Sequence, residues 1–140
     1  MPELTETARF AIEEVCSGRR LDDLDHCHAP NFVDHVNAME HRGHDGVRKW
    51  VGLYKRIFDD LSFTTEQQVA EGDRVVNALD SPRLLPRLAG RVVGGVVNSR
   101  FEDGRIAEDW AFSDSIEVSK QLGVWRSALI VMKEWRALLG

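Results

Sequence analysis

The chain begins with a helical pattern of apolar residues. Between residues 4 and 15 the apolar side chains recur every three or four positions, at Leu4, Ala8, Ala11, Ile12 and Val15. This is the spacing of one face of an α-helix. Gly18 follows in "SGRR", where a C-capping glycine is expected. A second short helix is predicted to begin near Arg20 and to end before Pro30, because proline disfavours helical backbone in the preceding residue.

A second helical pattern lies between residues 44 and 60. Its apolar residues fall on one face at Val47, Trp50, Val51, Tyr54, Ile57 and Phe58, and the cations lie mostly elsewhere around the helix. Asp45 stands near the N-terminus, where a carboxylate stabilises a helix. We predict an amphipathic helix that packs on the core with its apolar face.

After Asp60 the pattern changes from helical to alternating. Residues 61–80 form two alternating runs that turn at "EGD", and residues 90–114 form two more that turn at "EDG", both signals of a β-hairpin. The segment "SPRLLPRLAG" contains two prolines and is predicted to be a loop. Helices followed by antiparallel strands indicate an α+β protein with helices on one face of a sheet.

The last helix is predicted at about residues 118–139. Its apolar positions are Trp125, Ala128, Leu129, Met132, Trp135 and Leu139. A helix of this kind packs on its own sheet or on that of a partner. A membrane-surface role is the less favoured alternative, since the cations of its polar face are Arg126, Lys133 and Arg136 against Glu134.

Composition narrows the functional classes. The 140 residues are 43% hydrophobic and 29% charged, which suits a single folded domain over residues 1–140. A net charge of −5 argues against nucleic acid as a partner. No apolar run approaches the roughly 20 residues that span a bilayer, and the acidic, helical N-terminus does not resemble a signal peptide. With only Cys16 and Cys27, we expect a cytoplasmic protein with free thiols, a single disulfide being the alternative.

Residues 25–46 contain all five histidines of the chain. They lack an HExxH motif and spread over a helix end, a proline, an extended segment and a loop, so their spacing does not define a metal site. We expect no metal and no cofactor. His35 differs from the others because it follows the apolar Phe32 and Val33. It is either a hydrogen-bonded core histidine or a functional one.

Three carboxylates lie near the end of the last predicted strand, in "RIAEDWAFSD". A strict alternation of two places Glu108 and Asp114 on one face with Trp110 and Phe112. A carboxylate beside aromatic rings is desolvated, which raises its pKa toward values useful for proton transfer. The alternative is that Glu108 and Asp109 face solvent and that Asp114 only caps the strand end.

Four segments in this order resemble the SnoaL-like polyketide cyclase family: "NFVDH", residues 43–76, "RFEDGRIAEDWAFSD" and "KQLG". The resemblance covers about residues 4–123. It implies the nuclear transport factor 2-like fold, a cone in which N-terminal helices pack into the concave face of a curved antiparallel sheet and enclose a hydrophobic pocket. It also implies a homodimer that pairs through the open sheet face.

The resemblance further implies cofactor-free, intramolecular aldol cyclisation of a polycyclic aromatic small molecule. Asp114 matches the general acid and base, and His35 matches a pocket histidine. Trp110 would provide flat apolar wall. The other residues expected to line the pocket are Phe112, Trp50, Tyr54 and Asn98.

The chain departs from the family pattern in the region 77–99. This region is shorter than in relatives, which should truncate two strands or open one wall of the cone. It also lacks a second pocket histidine, whose place falls at or near Ser99, so that Asn98 or Arg100 would have to replace it. Three functions therefore stay open: a cyclase or a related isomerase, hydroxylase or hydrolase; a non-catalytic small-molecule binding protein; and a dimeric interaction module.

Overall fold

A computed structural model describes residues 2–57, 62–81, 93–113 and 124–138. The helices lie where the apolar periodicity predicts them. They are α1 (Pro2–Phe10, continued by a π-helical turn at Ala11–Cys16), a 3₁₀ turn at Leu21–Asp23 joined to α2 (Leu24–Cys27), α3 (Gly43–Ile57) and α4 (Val124–Leu138). None of the helices in these described ranges has the length and apolar character of a membrane span.

Gly18 ends the first helix as predicted. Its φ is +77°, in the left-handed region that glycine enters without steric cost. Its N–H donates to the carbonyl of Val15 at 2.9 Å. Its own carbonyl accepts from Nζ of Lys55 in α3 at 2.9 Å, so the cap also joins the two helices.

We expect Gly18→Ala to lower the free energy of unfolding by about 1 to 2 kcal/mol, because an L-residue is strained in the left-handed region. The added Cβ would also lie 2.1 Å from Cε of Lys55 and displace that side chain. Gly52→Ala in α3 is the matched control. Its Cβ meets only Nη1 of Arg56, at 3.7 Å, and alanine in a helix is favoured by about 1 kcal/mol. Urea unfolding should give shifts of opposite sign, and a shared sign would contradict this explanation.

Six strands within the described residues form one curved, open sheet. They are β1 (His28–Val36), β2 (Met39–Arg42), β3 (Thr64–Glu71), β4 (Arg74–Ser81), β5 (Val93–Glu102) and β6 (Arg105–Ser113), in the order β2-β1-β6-β5-β4-β3. Both predicted hairpins are confirmed, and the second turns through Asp103 and Gly104 with φ values of +51° and +77°. The extended segment and loop at residues 28–42 form two more strands, of which β1 pairs with β6 in parallel.

Although the region 77–99 is short, the two strands that pair around it, β4 and β5, are long. β4 and β5 are antiparallel partners from Arg74 and Arg100 to Ser81 and Val93. The predicted loop "SPRLLPRLAG" lies outside the described residues apart from Ser81. Within the described part of the sheet, the expected truncation of two strands is therefore not seen at this hairpin.

The α+β class is confirmed, with α1 and α3 packed on one face of the sheet. We call this the inner face and the opposite one the outer face. The core between helices and inner face contains Leu4, Ala8, Ala11, Val15, Leu24, Cys27, Phe32, Val47, Trp50, Val51, Val75, Phe101 and Ile106. Residues of β1, β5 and β6 that point inward therefore lie in an environment closed to water.

Candidate active site

A β-bulge in β6 decides which of its side chains point inward. Phe101 pairs with Ile106, but the next pair is Arg100 with Glu108, so Ala107 is an extra residue in β6. An extra residue reverses the alternation of side chains beyond it. Ile106 lies in the core before the bulge, and after it the buried residue is Asp109. Glu108, half-buried, turns to the outer face.

Asp34 and Asp109 are neighbours on the inner face. They are register partners on the parallel strands β1 and β6, and their exposed fractions are only 4% and 8%. Phe32, in the core two residues before Asp34, fixes the phase of β1. Ser99 of β5, also buried, is the partner of Asp109 on the other side. The inner face thus carries a buried carboxyl pair with a hydroxyl beside it.

Burial raises the pKa of both carboxyls. For Asp34 the pKa is well above its usual range because of burial first and the charge of Asp109 second, and the indole N–H of Trp50 partly opposes the shift. For Asp109, burial raises the pKa to about 7, and the hydroxyl of Ser99 opposes it. Two adjacent carboxyls in a dry site cannot both ionise readily. Near neutral pH the pair therefore holds at least one proton.

The groups around the pair are neutral and mostly apolar. Trp50 and Tyr54 of α3 form an edge-to-face pair with ring centroids 5.5 Å apart. Burial, and then the charge of Asp34, raises the pKa of the Tyr54 phenol. Burial and the nearby carboxyls also raise the pKa of the Cys16 thiol, and raise that of Cys27 to about 12. Both thiols are free, and neither ionises at neutral pH.

The site has one hydrogen-bond acceptor and one donor to spare. Oδ1 of Asp109 and Nε1 of Trp50 are both buried without a hydrogen-bond partner among the described residues. The Trp50 N–H is near enough to Asp34 to lower its pKa, but it does not reach it with hydrogen-bond geometry. Unpaired buried polar groups are costly unless a ligand satisfies them.

His35 lies on the outer face, away from the carboxyl pair. Its Nε2 is 2.8 Å from Oε1 of Glu108, and its ring stacks on Trp110 with centroids 5.5 Å apart. Nη2 of Arg100 donates to Oε2 of the same Glu108 at 3.3 Å. His35 is thus part of an ion-pair and stacking network on the outer face rather than of the buried site.

The structure brings only two of the predicted pocket residues, Trp50 and Tyr54, next to the buried carboxyls. Trp110 and Phe112 face outward because the bulge at Ala107 reverses the alternation of side chains beyond it, and Phe112 is 61% exposed. Asn98 shares their face, since it is the register partner of Trp110. Asp114 lies outside the described residues, and its catalytic role stays a prediction.

Sequence reasoning missed Asp34, and one of its two alternatives placed Asp109 toward solvent. A signal for Asp34 was present, because a residue two positions after a buried Phe32 shares its face. Asp109 gave no such signal. Its inward direction depends on the bulge at Ala107, and nothing in "GRIAEDW" marks an extra residue there.

His28 and His44 serve the fold. His28 is buried against the Phe32 ring, 4.6 Å between centroids, and burial, with a smaller effect of His44, lowers its pKa to about 3. His44 lies 3.1 Å from the His28 carbonyl oxygen and 3.2 Å from a carboxylate oxygen of Asp25. In the part of the chain that the structure describes, no group of three or more His, Cys, Asp or Glu residues could hold a metal ion.

Comparison with known proteins places this geometry in a family. The family model of the SnoaL-like polyketide cyclases matches residues 6–122. IdmH from Streptomyces antibioticus is 22% identical, with a TM-score of 0.70 over 86% of this chain and 99% of its own. TsrD from Streptomyces laurentii is 28% identical, with a TM-score of 0.64 over 87% of this chain and 93% of its own.

A protein from Catenulispora acidiphila with a ketosteroid isomerase-like fold, solved with trimethylamine, is 15% identical. Its TM-score is 0.63 over 79% of this chain and 85% of its own. Among curated protein sequences, none matches this chain. The family model nevertheless spans most of the chain, and the fold agrees with it. This chain belongs to the SnoaL-like polyketide cyclase family.

Proposed function

We propose that this chain is a cofactor-independent enzyme that transfers protons in a hydrophobic aromatic or polycyclic substrate, with intramolecular aldol cyclisation as its reaction. The observation that carries the proposal is the buried pair Asp34 and Asp109, with the pKa of Asp109 raised to about 7. Family membership supports the reaction class. We assign proton transfer to these two carboxyls because they lie together on the inner face of the sheet.

Asp109 is suited to act as both base and acid in one turnover. As a carboxylate it removes a proton from a carbon flanked by two carbonyl groups, and the electron pair of the C–H bond becomes an enolate. The enolate carbon then attacks a carbonyl carbon in the same molecule, forming the new C–C bond. The carbonyl oxygen becomes an alkoxide and takes a proton back from the carboxylic acid. General acid-base catalysis is most effective when the pKa lies near the working pH.

Trp50 and the second carboxyl complement this chemistry. The unpaired indole N–H of Trp50 can donate to an enolate oxygen, a hydrogen bond that strengthens as negative charge develops. Asp34, protonated more readily than usual, keeps a second negative charge out of the site. The rings of Trp50 and Tyr54 offer flat area to a planar substrate.

Hydrogen-deuterium exchange tests the proposal before the natural substrate is known. The protein is incubated in D₂O with planar aromatic 1,3-dicarbonyl compounds that carry a side-chain ketone, and NMR follows the acidic C–H while chromatography follows ring closure. We expect exchange and closure above the buffer rate. The matched control is Glu108→Gln, which removes a carboxylate of the same strand from the outer face and should retain the wild-type rate.

A non-catalytic binding protein is the second candidate, favoured by one observation. Ser99 occupies the inner-face position beside Asp109, where the resemblance implies a histidine. If the compounds raise the melting temperature by binding the folded state but exchange no faster than in buffer, the protein binds without catalysis and the proposed enzyme function is wrong.

A further inference from the structure

Helix α4 contacts α3 through an ion pair on its polar side. Nε and Nη2 of Arg56 in α3 donate to the two carboxylate oxygens of Glu134 at 3.1 and 3.2 Å. The Glu134 side chain is only 15% exposed. A bidentate arginine-carboxylate pair has defined geometry, so it fixes which side of α4 faces α3.

The opposite side of α4 is apolar and exposed. Trp125 is 85% exposed, Met132 74%, Leu129 63% and Trp135 53%. Single exposed apolar residues are ordinary, but a contiguous patch on one helix marks an interaction surface. An amphipathic helix normally turns its apolar side to the core. In α4 the orientation is reversed, so another apolar surface is needed to cover it.

The spacing of the patch fits another helix. Trp125, Ala128, Met132 and Trp135 are separated by three, four and three residues, the a and d positions of a heptad repeat. We call these four residues the seam. Leu129 and Val131, both exposed, flank it. A seam with this period meets the side of a second helix better than it meets a flat sheet or a lipid surface.

We propose that α4 pairs with α4 of a second copy of this chain in an antiparallel helix pair. In the register that places Trp125 opposite Trp135, Ala128 lies opposite Met132, and every described seam position is filled. Arg136 is the charged residue next to the seam, and in this arrangement the Arg136 side chains of the two copies lie at opposite ends of the helix pair. In a parallel pair the two Arg136 side chains would be neighbours, and their like charges would repel.

The area of the patch is also of the right order. A tryptophan offers roughly 200 Å² of surface, and a stable interface buries about 800 Å² on each partner. Trp125 and Trp135, with Leu129, Val131 and Met132, provide most of that area. The net charge of the chain, −5, disfavours an anionic lipid surface as the occupant.

Sedimentation of the full chain tests the pairing. We expect wild type to form a dimer that dissociates on dilution from high micromolar to nanomolar concentration. Met132→Asp should be a monomer throughout, because it places a charge in the seam of both copies. Lys133→Asp is the matched control: it makes a larger charge change at an exposed position outside the seam and should keep the dimer.

Two further measurements test the proposed helix pair. The melting temperature of Met132→Asp should equal that of monomeric wild type, which shows that the domain still folds. Phe112→Asp changes the exposed outer face of the sheet, the face through which the family resemblance implies pairing, and in this proposal it should leave the dimer intact. The proposal fails if wild type is a monomer at every concentration, if only Phe112→Asp dissociates the dimer, or if α4 instead binds phosphatidylcholine or phosphatidylserine vesicles.

Discussion

Asp109→Asn is expected to lower kcat by about 100- to 10,000-fold, the range that a positioned general acid or base contributes. Asparagine has nearly the shape of aspartate and fits the same place between β1 and β5, but it cannot accept the substrate proton. Because ionising this buried carboxyl is unfavourable, replacing it with a neutral amide should not destabilise the folded state. The variant should fold and bind while turning over slowly.

The pH dependence of the rate separates a catalytic from a structural effect. If Asp109 is the base, kcat of the wild type rises with pH as the carboxyl ionises, with a midpoint near its pKa of about 7. Asp109 raises the pKa of Asp34, whereas the raised pKa of Asp109 comes from burial. Asp34→Asn removes a carboxyl that is still protonated when Asp109 ionises, so the midpoint should stay close to that of the wild type.

Three control variants test the competing candidates. Glu108→Gln and His35→Asn change the network on the outer face and should keep kcat close to that of wild type. Asp114→Asn tests the residue that the family resemblance implies. If Asp109→Asn turns over at the wild-type rate and Asp114→Asn is inactive, Asp109 is not the base and the role belongs to Asp114.

The helices and hairpins could be predicted because their signals are local. The apolar spacing of α3 and the glycine that ends the first helix are each contained within a few turns of chain. The turns at Gly72 and at Asp103-Gly104 show the positive φ values that such sequences favour. These features need no knowledge of what the segment packs against.

The parallel pairing of β1 with β6 could not be predicted from residue patterns alone. It joins residues 75 or more positions apart, such as Asp34 and Asp109, and no turn or alternation in "HAPNFVDHV" indicates its partner strand. The site depends on this pairing, because it brings the two carboxyls together. A non-local contact of this kind becomes visible only in three dimensions.

The face of the sheet on which each candidate side chain lies depends on where the alternation along its strand is interrupted. In β6, Trp110 and Phe112 made one face of the strand look apolar, so a strict alternation assigned that face to the interior. One extra residue at Ala107 exchanges the faces. The predicted histidine, His35, therefore lies on the outer face, one residue after the buried Asp34. The predicted base, Asp114, lies outside the described residues.

The buried carboxyls should also make the protein less stable as pH rises. The pKa of Asp109 is raised from 3.8 to about 7 in the folded state, so between these values the folded chain holds a proton that the unfolded chain releases. Its contribution is fully present below pH 3.8 and is lost as pH rises to about 7. A shift of this size corresponds to about 4 kcal/mol. Asp34, raised for the same reason, adds to the loss.

His28 acts in the opposite direction. Burial lowers its pKa from 6.5 to about 3, so its contribution to stability is present above pH 6.5 and is lost as pH falls toward 3. In the wild type this partly masks the effect of the carboxyls. The double variant Asp34→Asn, Asp109→Asn leaves His28 in place. Its free energy of unfolding should therefore rise between pH 4 and 6.5, where the wild-type value stays level or falls.

The decisive quantity is the difference between wild type and double variant, measured by urea unfolding from pH 4 to 8. Subtraction removes His28 and every other group that the two proteins share. We expect the difference to move by at least about 4 kcal/mol in favour of the double variant as pH rises. Asp45→Asn makes the same chemical change at a fully exposed side chain and is the control for the substitution itself. If the double variant follows the wild-type curve at constant offset, the two carboxyls titrate alike in the folded and unfolded chains, and the raised pKa on which the proposed chemistry depends is absent.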